Sequence, residues 1–176
     1  IVYLTNFNIW AFVGISLSFI IIAGSLISMY FNIIKFNLNN FFYYNNALIA
    51  HIGVGITILG ITCSSIYQSE NNEAFMVNET KIIGSYSLTL KNVKTIEKNN
   101  FQELMAKFVV SNNGSLSKEM YPSKRYYYVS KVITTEASIF HDWFRDFYII
   151  LGDKKNEKWN VKIYQNPLVS FIWLGV

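Results

Sequence analysis

Residues 47–67 read ALIAHIGVGITILGITCSSIY, with no Asp, Glu, Lys or Arg among them. About 20 apolar residues in a row is what an α-helix needs to cross the hydrocarbon core of a bilayer. Apart from Cys63 and the boundary Tyr67, His51 is the only ionisable group in the run. An ionisable side chain at membrane depth is costly, and its retention points to a task. On a helix, Ala47, His51 and Gly55 fall on one stripe at i, i+4 spacing. A small residue one turn to either side of the imidazole lets something flat or bulky approach the backbone. The edge of a metalloporphyrin fits there, and so does a neighbouring helix. Small residues on membrane helices commonly serve helix packing, and a histidine near a helix end can also reach interfacial water. From the residues alone these readings stand side by side.

Outward from that stretch, a second apolar run covers residues 9–31, with Trp10 and Tyr30 at its ends, where amphipathic rings favour the membrane–water boundary. It predicts a transmembrane helix, with Gly14, Ser18, Ser25 and Ser28 able to face other helices. Residues 32–46 mix asparagines with Phe36, Phe41, Phe42, Tyr43 and Tyr44 and predict a loop. Its single cation, Lys35, marks that loop as cytoplasmic, so residues 1–46 form a span plus a cytoplasmic loop and residues 47–67 return the chain to the other side.

Residues 68–165 differ sharply in composition. Of the 15 Lys and Arg and 11 Asp and Glu, all but Lys35 lie there. The charges are interleaved rather than striped, which excludes a nucleic-acid surface. Alternation or β-branched and aromatic content predicts strands at 86–93, 101–111, 126–129, 132–135, 147–151 and 159–164. Asn112-Asn113-Gly114 offers a hairpin turn and Gly152-Asp153 a strand end. Residues 139–146 predict a short helical or irregular turn. Short strands between turn signals make this a β-rich module, a small antiparallel barrel or sandwich. Pro167 then introduces another apolar run, the start of a further span in 166–176. The fold class is therefore membrane α-helical spans carrying a β-rich extracytoplasmic domain. The chain opens at Ile1 and stops inside an apolar run, as expected for a piece of a longer membrane protein. The first run is not a secretory signal, since no basic region precedes it.

Several chemistries are absent. One cysteine, Cys63, allows neither a disulfide nor a CxxC motif, and it reads as a small packing residue. There is no phosphate loop, zinc spacing or nucleophile elbow. His141-Asp142, between Phe140 and Trp143, is the one adjacent His–Asp pair, and His141 reads as a surface histidine rather than half of a catalytic pair. Arg145-Asp146 reads as a local ion pair, and Lys124-Arg125 as a solvated edge or a partner contact.

An ordered set of motifs carries a resemblance. Ala50-His51-Ile52-Gly53-Val54 comes first, then Tyr86-Ser87-Leu88, Lys124-Arg125-Tyr126-Tyr127 and Thr134-Thr135-Glu136-Ala137-Ser138-Ile139. Arg145 to Gly152, Trp159 to Tyr164 and Asn166 to Gly175 complete it. From residue 47 onward the chain resembles the C-terminal part of the CcmF/CycK family of cytochrome c-type biogenesis proteins, the haem lyase subunits of the cytochrome c maturation system. The resemblance implies that His51 is one of two transmembrane axial ligands to the iron of a haem b, the other lying in an upstream span. It implies no role for His141, where Phe140-His141-Asp142-Trp143 is bulkier than the family's pattern. The family's tryptophan-rich haem-handling motif and two external histidines do not occur in these residues. The implied partners are a haem chaperone, a thiol-reducing subunit, apocytochrome c, membrane lipid and quinol. The implied location is the bacterial inner membrane, or the mitochondrial one, with residues 68–165 in the periplasm or intermembrane space. Two other classes compete: a membrane-anchored docking module without enzymatic activity, and a transporter subunit using His51 as a proton relay.

Overall fold

The computed structural model describes residues 8–36, 41–112 and 117–176. The chain forms two compact units. One holds the residues up to Gln68 together with His141–Asp146 and Asn166–Val176; the other holds Ser69–Phe140 and Phe147–Gln165.

The first unit is helical. α1 (Ile9–Phe36) begins after Asn8, whose Oδ1 accepts from the backbone N–H groups of Trp10 (2.9 Å) and Ala11 (3.4 Å), satisfying donors that a helix start leaves open. α2 (Phe41–Ile66) and α1 are both long and apolar enough to cross a membrane. The predicted loop 32–46 is corrected here. α1 runs to Phe36 and α2 starts at Phe41, leaving only 37–40 outside the described residues. The asparagines do not break the helices because they bond across them. Asn32 Nδ2 donates to Asn45 Oδ1 (3.0 Å) and to Tyr44 O (3.3 Å), while Asn45 Nδ2 donates to Phe41 O (2.8 Å). Asn45 is buried, so the pair acts as a polar clamp between two apolar helices.

Small residues set how closely the helices approach. Ser18, fully buried on α1, donates from Oγ to Gly55 O at 2.9 Å. A methyl group at Gly55 would lie 2.6 Å from Ile22 Cγ1. The short α3 (Val169–Gly175) packs on another side of α2, where a methyl at Gly53 would lie 2.5 Å from Gly175 O.

The second unit is a sandwich of two antiparallel sheets. One sheet has the order β1 (Ser69–Phe75), β10 (Lys158–Pro167), β9 (Arg145–Lys155), β8 (Ser138–His141). The other has the order β2 (Thr80–Ile83), β3 (Tyr86–Glu97), β4 (Phe101–Asn112), β6 (Ser123–Tyr127), β7 (Ile133–Glu136), with β5 (Lys118–Met120) also on β4. Alternate residues of the two inner faces meet in one core. Phe75 packs edge-on against Phe108 with ring centroids 5.5 Å apart, and Tyr86 packs against Phe147 at 4.9 Å.

Five of the six predicted strands form with small shifts of their ends; the predicted strand 126–129 is corrected, because β6 starts earlier at Ser123 and only Tyr126 and Tyr127 lie in it, Tyr128 and Val129 belonging to the turn that follows. β1, β2 and β5 are additional to them. The stretch 139–146 is corrected: it is β8, a tight turn closed by Asp142 N donating to Arg145 O (3.1 Å), and the start of β9. Gly152-Asp153 is also corrected from strand end to mid-strand. Gly152 lies against β10, where a Cβ would come within 2.6 Å of Asn160 O. The turn comes later, at Asn156 (φ 48°) and Glu157 (φ 65°), both in the left-handed region that two-residue hairpins require. The turn at Asn113-Gly114 lies outside the described residues, but β4 and β5 on either side pair antiparallel, Phe108 with Met120.

Candidate functional site

His51 lies on α2, 15 residues before its end at Ile66, and its side chain is exposed on the helical unit. Nδ1 lies 2.6 Å from Ala47 O, one turn back. A carbonyl only accepts, so Nδ1 carries the proton in this contact and the neutral ring keeps its lone pair on Nε2. The helix itself therefore orients the imidazole, which is how ligating histidines are held when a carbonyl takes the other ring N–H. Ala47, Ala50, His51, Val54, Ile61 and Ser65 are all exposed and recur at helical spacing on one face. His51 is the one ring nitrogen donor on that face.

The stripe that the sequence offered around His51 divides. Ala47 stays with the imidazole on the open face. Gly55 is buried and serves the contact with Ser18 and Ile22 of α1. Gly53 and Gly60 serve α3, Gly60 lying against Ile172 and Leu168. The glycines are thus helix-packing residues, and the space beside His51 comes from Ala47, Ala50 and Val54.

His141 does not pair with its neighbour Asp142. Its Nδ1 lies 2.9 Å from Oδ2 of Asp146, a carboxylate that is 1% exposed, while the imidazole is largely in solvent. Asp142 Oδ1 instead accepts from Trp143 N (2.8 Å). The β-hairpin brings positions 141 and 146 together across its turn, a proximity that a helical or irregular reading of the segment could not supply.

Lys124 and Arg125 are held within the β unit. Lys124 Nζ meets Asp153 Oδ1 at 2.6 Å. Arg125 Nε donates to Glu103 Oε1 at 2.8 Å, directly across strands β4 and β6. Ser123 Oγ donates to the same oxygen (2.8 Å), and Lys98 Nζ lies 3.5 Å from Oε2. Burial works to raise the Glu103 carboxyl, but the Arg125 and Ser123 hydrogen bonds and the charges of Arg125 and Lys98 outweigh it and hold the group below its usual range. Arg125 and Lys98 both lie over the Phe101 ring, at 5.1 and 5.2 Å. Among the described residues no group of three or more His, Cys, Asp or Glu could hold a bare metal ion.

A family model described as the CcmF C-terminal β-sandwich matches residues 66–167, the whole of the strand-built unit. The chain belongs to the CcmF C-terminal β-sandwich family. The resemblance read from the ordered motifs is thereby borne out, and the barrel-or-sandwich alternative resolves to a sandwich. The cytochrome c-type biogenesis protein CcmF of Escherichia coli is 33% identical over 135 residues, covering 76% of this chain and 21% of that protein. CcmF of Haemophilus influenzae is 31% identical over 129 residues, 73% of this chain and 20% of that protein. CycK of Bradyrhizobium diazoefficiens is 33% identical over 130 residues, again 73% and 20%. A solved structure described as cytochrome c haem lyase CcmF superposes with a TM-score of 0.73 at 14% identity, covering 92% of this chain and 28% of that one, which establishes the shared fold. The chain spans about a fifth of the length of these CcmF and CycK relatives.

Proposed function

We propose that this chain acts in cytochrome c maturation as the C-terminal segment of a membrane haem lyase subunit, with His51 as one axial ligand to a haem b iron. Its membership of the CcmF C-terminal β-sandwich family supports the pathway. The observation that carries the site is the His51 tether. With Nδ1 donating to Ala47 O, Nε2 is left as a lone-pair donor on an open face lined by Ala47, Ala50 and Val54. That donor set fits a porphyrin iron, which needs a neutral imidazole with a fixed ring and small neighbours, and takes its second ligand from another span. Held by His51 and a second histidine, such a haem would supply one-electron transfer, with burial and ligand basicity setting its potential.

The chain's own residues have the remaining tasks. α1 and α3 clamp α2 through Gly55, Gly53 and Gly60 and so hold the His51 face at constant azimuth. The Asn32–Asn45 pair fixes their register at the other end. The β-sandwich offers a rigid extracytoplasmic surface in the periplasm, or in the intermembrane space of a mitochondrion. The partners there are the haem chaperone, the thiol-reducing subunit and apocytochrome c, with quinol in the membrane as the electron source.

The test is an optical spectrum of the complete gene product that contains this chain, purified in mild detergent. The expected result is a low-spin b-type haem that is lost in His51→Ala while the far-UV circular dichroism is kept. A haem band unchanged in His51→Ala refutes the assignment. A wild-type protein without haem would favour the docking module, and pH-dependent transport lost in the variant would favour the proton relay.

A further inference from the structure

The segment His141–Asp146 belongs to the helical unit, and with α3 it lines an open cavity of about 520 Å³. His141, Asp142, Trp143, Asp146, Ser170 and Trp173 line it. The turn is fixed to the first residues of α3. Phe144 O accepts from Leu168 N at 3.0 Å, and Asp142 O accepts from Ser170 Oγ at 3.1 Å. The cavity therefore sits at the start of the apolar α3, and its two indoles are rings of the kind that favour a membrane–water boundary.

Apart from the indole N–H groups of Trp143 and Trp173, its side-chain polar groups offer acceptors. His141 Nδ1 lies against Asp146 Oδ2, so in its neutral form the ring presents the lone pair of Nε2. Asp142 uses Oδ1 for Trp143 N and keeps the acceptor capacity of its other oxygen. Ser170 has given its proton to Asp142 O and retains only lone pairs. Acceptors with a net negative charge repel an anion and favour a compact cation with several N–H donors. The indoles of Trp143 and Trp173 are 70% and 77% exposed. Such rings attract a cation placed over their faces.

We propose that this cavity binds the primary ammonium head group of a phosphatidylethanolamine-type lipid. The ammonium donates to the Asp142 carboxylate and to His141 Nε2 beside Trp143 and Trp173. Asp146 is the positioning residue that turns the imidazole so that Nε2 accepts. The site is independent of His51, so loss of either assignment leaves the other intact.

The experiment uses the full chain purified in mild detergent and incubated with equimolar phosphatidylethanolamine, phosphatidylcholine and phosphatidylglycerol. Native mass spectrometry then counts the retained lipids. Phosphatidylcholine carries the same charge without an N–H donor, so phosphatidylethanolamine is expected to be retained about tenfold better, a ratio in the range of one charge-assisted hydrogen bond. Asp142→Asn keeps an acceptor for Trp143 N but removes the charge, and it is expected to bring the two lipids to near parity with the thermal melt unchanged. Trp143→Ala is expected to lower retention of both. Equal retention of the two lipids by the wild type, a preference for phosphatidylglycerol, or a phosphatidylethanolamine preference untouched by either variant overturns the proposal.

Discussion

Gly55→Ala separates two roles for the glycine one turn beyond His51, room for a cofactor and contact with α1. The added methyl would lie 2.6 Å from Ile22 Cγ1, 3.3 Å from Ile22 Cδ1 and 3.3 Å from Ser18 O. A contact of 2.6 Å is about an ångström inside carbon–carbon contact distance, so α1 has to move away. Overpacking of this kind costs about 1–3 kcal/mol. The same movement stretches the Ser18 Oγ to Gly55 O bond, now 2.9 Å, worth about 1 kcal/mol. The expected loss is then about 2–4 kcal/mol, or a melting temperature lower by roughly 4–15 °C for a chain of this size. Ile22→Ala removes both clashing atoms of that side chain, so the double variant is expected to recover most of the loss relative to the additive sum. The cycle is read by thermal denaturation in detergent followed by circular dichroism. The haem band of the complete protein, recorded on the same samples, is expected to fall only as far as the fold does. A haem band lost at unchanged melting temperature, with no rescue by Ile22→Ala, would refute the packing role and restore Gly55 to the cofactor face.

Two further outcomes follow from the same geometry. Glu103 is held below its usual range in the folded state, so its contribution is present above the unfolded carboxyl value of about 4.3 and is lost as pH falls through the lower folded value. Glu103→Gln is therefore expected to destabilise by about 2–3 kcal/mol at pH 7 and to flatten the fall in stability as pH drops below the unfolded carboxyl value of about 4.3, measured by urea titration with Trp159 fluorescence isolated by replacing the other tryptophans; an unchanged slope would count against the network. Asn45→Ala removes the bonds to Asn32 and Phe41 O and is expected to cost about 1–2 kcal/mol, seen as faster amide exchange over residues 41–46 with the rest of α2 unaffected.

What could be read in advance follows the physics of each signal. The apolar runs and the alternating strands were legible because hydrophobic burial has a period, and Tyr86 to Val93 or Trp159 to Tyr164 display it. The asparagines misled for a specific reason. Taken singly they favour turns, but Asn32 and Asn45 satisfy each other across two helices, a pairing invisible without the fold. The turn at Asn156-Glu157 carries no glycine and so gives no local signal, whereas the glycine of Gly152-Asp153 serves close approach to β10 rather than a bend. β1 was hidden by its composition, since Ser69 to Glu73 is polar throughout and pairs along β10 from an edge of the sheet. At the candidate site, the identity of His51 was legible and its ring orientation was not. The partner of His141 was likewise out of reach, because it sits across a hairpin.

The tether from His51 to Ala47 makes the orientation of the ring a property of five consecutive backbone positions. No distant side chain has to be conserved to aim it, and no rearrangement is needed when an acceptor of its lone pair arrives. The motif is accordingly portable. Moved to another helix with a small residue four places earlier, the same histidine would arrive already aimed, and drift in the surrounding sequence could reshape everything about this membrane face except the direction in which its nitrogen points.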